Sequence, residues 1–162
     1  MGIFANPLTD LLEYEDFSRD FLKGTDPVGM TGCIDSEKEH FMSTFLGEKK
    51  VQLVVTYSEQ RAREIEEDYK LFCSQVYVIP PRDLIFFSAD LQGNAIIAER
   101  MKAFAALYQN EAKVIITTMD ALMSAAVPFE QLMSHVIKLK EGDELDLEKL
   151  KHDLTVMGYE RV

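Results

Sequence analysis

Apolar positions recur along the chain with two different periods, and their alternation predicts an α/β fold. Over residues 7–22, Leu8, Leu11, Leu12, Phe17 and Phe21 fall near one helical stripe, and Gly24 suits the helix end. Residues 28–31 are a short apolar strand candidate. A helix over residues 36–46 stops at Gly47. Residues 51–56 (VQLVVT) read as a buried strand. Ser58 caps a helix reaching Phe72, with Ile65, Tyr69 and Phe72 on its apolar face. Residues 76–79 are a short strand ended by Pro80-Pro81. Residues 82–91 read as irregular and aromatic. Residues 93–109 form a long helix with Ile96, Ile97, Met101, Phe104 and Leu107 facing inward. Residues 114–117 (VIIT) are a third buried strand, and a short helix follows near Asp120. Strands alternating with helices at this spacing indicate parallel βαβ units.

Near Pro128 the pattern changes. Residues 135–139 alternate as a half-exposed strand does, and Glu141-Gly142-Asp143 is a turn. Residues 145–156 form a charged amphipathic helix. Residues 158–162 lead out of that helix into the start of a strand with nothing after it to pair with. That arrangement predicts an excised fragment whose last part opens a second, incomplete domain.

Between the first two predicted helices lies Gly29-Met30-Thr31-Gly32-Cys33-Ile34-Asp35-Ser36. A working phosphate-binding loop reads G-x-x-x-x-G-K-[ST], with backbone N–H groups and one lysine around the phosphates. Gly29 holds the first glycine position and Ser36 the hydroxyl position. Ile34 replaces the second glycine and Asp35 replaces the lysine. A β-branched residue resists the tight turn that glycine permits. At about 5 Å and an effective dielectric near 20, one charge pair is worth roughly 3 kcal/mol, so Asp35 turns a large attraction into repulsion. The remnant (Gly29, Thr31, Gly32, Ile34, Asp35, Ser36) is therefore not expected to hold a nucleotide. The plainer reading of the same residues is a strand-turn-helix junction, with Ser36-Glu37-Lys38-Glu39 as a capping box.

Composition narrows the classes further. The 162 residues suit one main domain with a sizeable core. No apolar run is long enough to span a bilayer, and the N-terminus lacks a signal-peptide pattern. Cys33 and Cys73 match no metal or redox spacing and read as free thiols. His40, His135 and His152 are scattered, with no ligand cluster and no expected metal. A net charge of −11 points away from autonomous nucleic-acid binding and toward solubility or a basic partner. Phe86 and Phe87 lie beside Asp83 and Asp90, without the basic groove that base-stacking platforms use. Asp120, after VIITTM, could hold Mg²⁺ in a nucleotide site, or could be a first-turn acid of a helix. No G-x-S-x-G elbow is present.

Taken in order, GMTGCIDS, VQLVVTYSEQRAREIEEDYKLF, IPPRDLIFFSADLQGNAIIAERMKAF, VIITTMDALMSAAVPFEQL and VIKLKEGDELDLEKLKHDLTVMGYERV resemble the N-terminal region of the bacterial transcription-repair coupling factors (Mfd). That region is in turn similar to the excision-repair protein UvrB. The resemblance spans nearly all the chain after Pro27, and residues 136–162 are its most specific part. It implies a RecA-like parallel sheet with a degenerate P-loop and flanking helices, plus the start of a truncated second small α+β domain. The implied division is an N-terminal helix over 1–26, a UvrB-like domain 1a over 27–134, and the beginning of the inserted UvrA-interaction domain over 135–162. The family's motor, with its ATP and Mg²⁺, lies in later domains. Its partners are UvrA, stalled RNA polymerase, DNA and other domains of the same chain, in the cytoplasm and away from membranes. No UvrA-contact residue carries over onto this sequence, and no tyrosine-rich DNA hairpin like that of UvrB appears between Ile79 and Gly93.

Three functions follow for comparison. One is a non-catalytic scaffold for partner recognition. Another is a UvrB-like nucleotide-binding ATPase fragment. The third is an autoinhibitory clamp that packs on later motor domains.

Overall fold

The computed structural model describes residues 6–11, 13–47, 51–81, 90–124, 128–137, 139–157 and 159. The chain divides into two compact units, residues 1–124 and 125–162.

The first unit is α/β. Its elements are α1 (Asn6–Thr9), α2 (Tyr14–Lys23), α3 (Asp35–Ser43), β1 (Gln52–Thr56), α4 (Glu59–Lys70), β2 (Val76–Ile79), α5 (Asp90–Tyr108), β3 (Val114–Thr118) and α6 (Met119–Met123). The three strands form a parallel sheet in the order β1-β3-β2. The register sets Val54 and Val78 on either side of Ile116.

Pleating divides the strand residues between two faces. On one face, Val76, Val78, Val114 and Ile116 pack with Ala62, Ile65 and Tyr69 of α4 and with Met42 of α3. On the other, Ile115, Tyr77 and Ile79 pack with Ala103, Ala106 and Leu107 of α5. A parallel sheet covered on both faces has a continuously apolar centre, and β3 is buried at every position. Ser58 caps α4 as expected, its side chain accepting from Arg61 N at 3.2 Å. Gly24 ends α2 in the left-handed region, at φ 62°.

Four expectations are corrected. The helix expected over 7–22 is two helices, α1 and α2, separated by a turn. Residues 28–31 form no strand, and among the described residues no strand pairs with Val28 or Met30. β1 is half-exposed rather than buried: Leu53 and Val55 are 59% and 42% exposed. Among the described residues it is an edge strand, and α5 packs its core residues against Ile115 of β3 and Tyr77 and Ile79 of β2. On α5, Ile97 and Met101 are exposed, whereas Arg100, Ala103 and Ala106 are buried. Arg100 donates to the Pro80 carbonyl and lies over the Phe104 ring, 5.7 Å from its centroid, which turns this charged residue inward.

Helices α2 and α3 are joined by aromatic rings. Phe17 meets Phe41 edge-on at 5.0 Å, Tyr14 stacks on Phe45 at 5.8 Å, and Tyr14 donates to Thr44 Oγ1 at 3.0 Å. Helices α4 and α5 are joined by Arg63 and Glu99, which make a two-bond ion pair with one bond of 2.6 Å. This pair holds the Glu99 carboxyl below its ordinary range.

The second unit contains α7 (Phe129–Ser134) and α8 (Leu147–Val156). Asp146 caps α8 by accepting from the N–H groups of Glu148 and Lys149, at 3.1 Å each. Among its described residues there is no strand, so residues 135–137 and 139, where a half-exposed strand was expected, are in none. The expected terminal strand, and the irregular stretch carrying Phe86 and Phe87, lie outside the described residues.

Candidate functional site

The loop singled out by its spacing is a surface segment leading straight into α3. Thr31, Gly32 and Ser36 are exposed, and Ile34 is 71% exposed. Gly32 has φ 84°, a conformation that favours glycine. At Gly29 an added Cβ would meet nothing within 4 Å, so no contact in the fold demands glycine there. Asp35 is the first residue of α3 and Ser36 the second. The expected capping box on Ser36 and Glu39 does not form. Ile34 holds the N-cap position instead, and its N–H donates to the Glu37 carboxylate at 3.1 Å. Its hydrocarbon side chain has no acceptor to return that bond. The loop thus has neither the strand that should launch it nor the glycine and lysine that should line it.

The other sequence candidates take ordinary places. Asp120 sits in the first turn of α6, which Thr118 caps through Ala121 N at 3.2 Å. His40 stacks on Phe72, with centroids 4.9 Å apart. His135 Nδ1 lies 2.8 Å from the Gln131 carbonyl oxygen. Cys33 and Cys73 are free thiols. Among the described residues no group of three or more His, Cys, Asp or Glu could hold a metal ion, and no helix is long and apolar enough to cross a membrane.

A feature the sequence reading missed lies behind the loop. A cleft of about 840 Å³ opens between α2, α3, α4 and the free side of β1. Glu39, one turn into α3, is buried in its wall and meets Arg61 of α4 at 3.1 Å. Burial pushes the Glu39 carboxyl above its ordinary range, against the pull of its own backbone N–H and of Arg61. The same burial, with Glu39 nearby, pushes the Tyr69 hydroxyl up. Tyr69 in turn donates to Gln52 Oε1 at 3.1 Å, and Gln52 Nε2 donates to the Met42 carbonyl at 2.8 Å. These side chains tie α3, α4 and β1 into one polar seam. A signal existed: Glu39 lies three residues before Met42, on the helix face that Met42 buries.

Comparison with known proteins bears out the resemblance. The chain is 27% identical over 141 aligned positions to the transcription-repair-coupling factor of Staphylococcus haemolyticus, covering 85% of this chain and 12% of that protein. It is 25% identical to those of Staphylococcus epidermidis and Staphylococcus aureus, covering 99% of this chain and 14% of each. The chain therefore spans about one seventh of the length of these curated relatives. No protein-family model matches it. No solved structure matches it either.

Proposed function

We propose that this chain is a non-catalytic module from the N-terminal region of a transcription-repair coupling factor, serving as a scaffold for partner recognition. The observation that carries the reading is similarity along 85–99% of the chain, joined to a loop in which Ile34 and Asp35 stand where a nucleotide site needs glycine and lysine. On this reading the first unit is a degenerate RecA-like domain. Residues 1–26 extend it, residues 27–134 correspond to the UvrB-like domain 1a, and residues 135–162 open the domain that meets UvrA. The parent protein is an ATP-dependent DNA translocase of the cytoplasm. It displaces stalled RNA polymerase and recruits UvrA for excision repair, with ATP and Mg²⁺ held by later domains.

The test is a calorimetric titration with ATP and Mg²⁺. No binding is expected at concentrations up to about 1 mM, a free energy weaker than roughly −4 kcal/mol. The double variant Ile34→Gly, Asp35→Lys is expected to remain as weak, because no strand precedes the loop. Micromolar binding by the natural chain, or ATP turnover abolished by Ser36→Ala, would overturn the reading in favour of a UvrB-like ATPase fragment.

The scaffold also restrains the motor in this reading, its acidic surface packing on a basic neighbour. Deleting these residues from the parent is then expected to raise its ATPase rate. Equal rates with and without them would remove the autoinhibitory role and leave partner recognition.

A further inference from the structure

Two aliphatic side chains stand in solvent at helix ends, where neither serves the fold. Ile34 holds the N-cap of α3 and is 71% exposed. That position favours Ser, Thr, Asp or Asn, whose side chains accept a backbone N–H, and isoleucine gives that bond up. Leu71 holds the C-cap of α4 and is 72% exposed. Between these ends lies a hollow of about 210 Å³, lined by Ser36, Glu37 and His40 of α3 and by Asp68, Leu71 and Phe72 at the end of α4. Ile34 stands at its rim, since its N–H is bonded to the Glu37 carboxylate. The hollow shares no lining residue with the cleft beside β1.

The wall of the hollow is part apolar and part acidic. The His40 and Phe72 rings stack with their planes only 3° apart, and Leu71 continues that apolar side. Glu37 and Asp68 are the two carboxylates. Among the described residues no lysine or arginine pairs with either one. The cations of α4 are engaged by other acids, Arg61 by Glu39 and Glu64, and Lys70 by Glu66. Two carboxylates beside stacked rings suit a flat, forked cation on an apolar stem, which is the chemistry of arginine. The chain's net charge of −11 draws such a cation in.

We propose that this hollow docks an arginine side chain of a separate partner protein, carried in a segment whose neighbouring aliphatic residues rest on Ile34 and Leu71. The guanidinium lies against the His40 and Phe72 rings and donates to Glu37 and Asp68. The charge of the occupant follows from the two carboxylates, and its aliphatic flanks follow from the exposed rim. One anchor side chain in a small hollow, ringed by apolar contact, is the usual form of a binding hot spot. The inference rests on the partner-recognition reading and gives it a surface and a partner chemistry.

Calorimetric titration of the natural-length protein with the peptide acetyl-Leu-Ala-Arg-Ala-Leu-amide tests this. Saturable binding is expected, with Kd on the order of 100 µM. Citrulline in place of the arginine keeps the shape and removes the charge, and should weaken binding about 10-fold. Asp68→Asn should weaken binding of the arginine peptide by about the same factor, and Leu71→Ser by about 5-fold. Glu67→Gln is the control: it removes one charge from the exposed side of α4, outside the hollow, and should change Kd by less than about 2-fold. No binding would overturn the proposal, whether the hollow stays empty or is filled by another part of the same protein. Equal binding of the arginine and citrulline peptides would overturn it by removing the cation. Equal weakening by Asp68→Asn and Glu67→Gln would overturn it by assigning the attraction to overall charge. Binding untouched by Leu71→Ser would overturn it by placing the peptide elsewhere. Each variant is compared at an unchanged unfolding midpoint in urea, and the citrulline comparison, made on the natural sequence, decides should a variant not fold. Failure of the peptide to bind would leave the non-catalytic reading intact, and ATP binding would leave the arginine site intact, so the two fail separately.

Discussion

Ile116→Ala lowers the stability of the first unit by about 4 kcal/mol, measured by urea denaturation. Ile116 is fully buried at the middle of the central strand, between Val54 and Val78. Above it lie Ala62, Ile65 and Tyr69 of α4. Two flanking strands and a helix fix the surrounding backbone, so the space left by the lost carbons cannot collapse, and the upper part of the usual range applies. Ile116→Val, which keeps the branch at Cβ, is expected to cost only about 1 kcal/mol. On the same sheet, Leu53→Ala provides the contrast. Leu53 is 59% exposed, so its truncation in this chain is expected to stay within about 0.5 kcal/mol. A loss below about 1 kcal/mol for Ile116→Ala would mean that the core between sheet and α4 is not closed.

The contrast between Ile116 and Leu53 shows what the sequence could and could not convey. VIIT and VQLVVT are equally apolar runs, and both are strands. An apolar run specifies a strand but not its place in the sheet, since that depends on which helices reach it. β3 is central and buried, whereas among the described residues β1 is an edge whose outer residues face the cleft. The parallel α/β class, the cap at Ser58 and the end at Gly24 were legible because each rests on local chemistry. The inward face of α5 was legible only in part: Leu107 packs on the core and Ile96 and Phe104 are half-buried, whereas Ile97 and Met101 are exposed. Arg100 takes a buried position through the Pro80 carbonyl and the Phe104 ring, a tertiary arrangement that no helical period encodes. The strand expected at residues 28–31 is likewise absent: a strand exists only beside another, and among the described residues none pairs with it.

The candidate site divides in the same way. Ile34 and Asp35 could be read directly as substitutions against phosphate. Their setting could not: Ile34 occupies the N-cap in place of Ser36, and no strand leads into the loop. Glu39 was read as an ordinary capping partner and is instead the buried acid of the cleft. Its misreading comes from the two-residue shift of the helix start, which moves the N-cap from Ser36 to Ile34 and the reciprocal glutamate from Glu39 to Glu37.

Arg61→Met is expected to destabilise the protein by about 3 kcal/mol at neutral pH, because it leaves Glu39 buried and charged without its cation. The estimate takes the lower end for a broken buried pair, since the Arg61 side chain keeps 16% exposure against 6% for Glu39. The charges facing Glu39 from the packed helices are Arg61 and Asp68 on α4, with Lys38 beside it on α3. Burial already holds the Glu39 carboxyl above its ordinary range with Arg61 in place, and loss of Arg61 raises it further. A carboxyl whose folded pKa is raised binds its proton more tightly in the folded state. Its contribution is therefore most favourable at acidic pH and is lost as pH rises from the unfolded value through the folded one. The deficit of Arg61→Met relative to the parent should shrink as pH falls toward the ordinary carboxylate range. The double variant Glu39→Gln, Arg61→Met should recover most of the loss at neutral pH, because no buried charge remains. A deficit that stays constant with pH, and that Glu39→Gln fails to rescue, would assign the cost to lost packing of the Arg61 stem. In that case the seam between α3 and α4 would be held by shape, and Glu39 would be neutral in the fold.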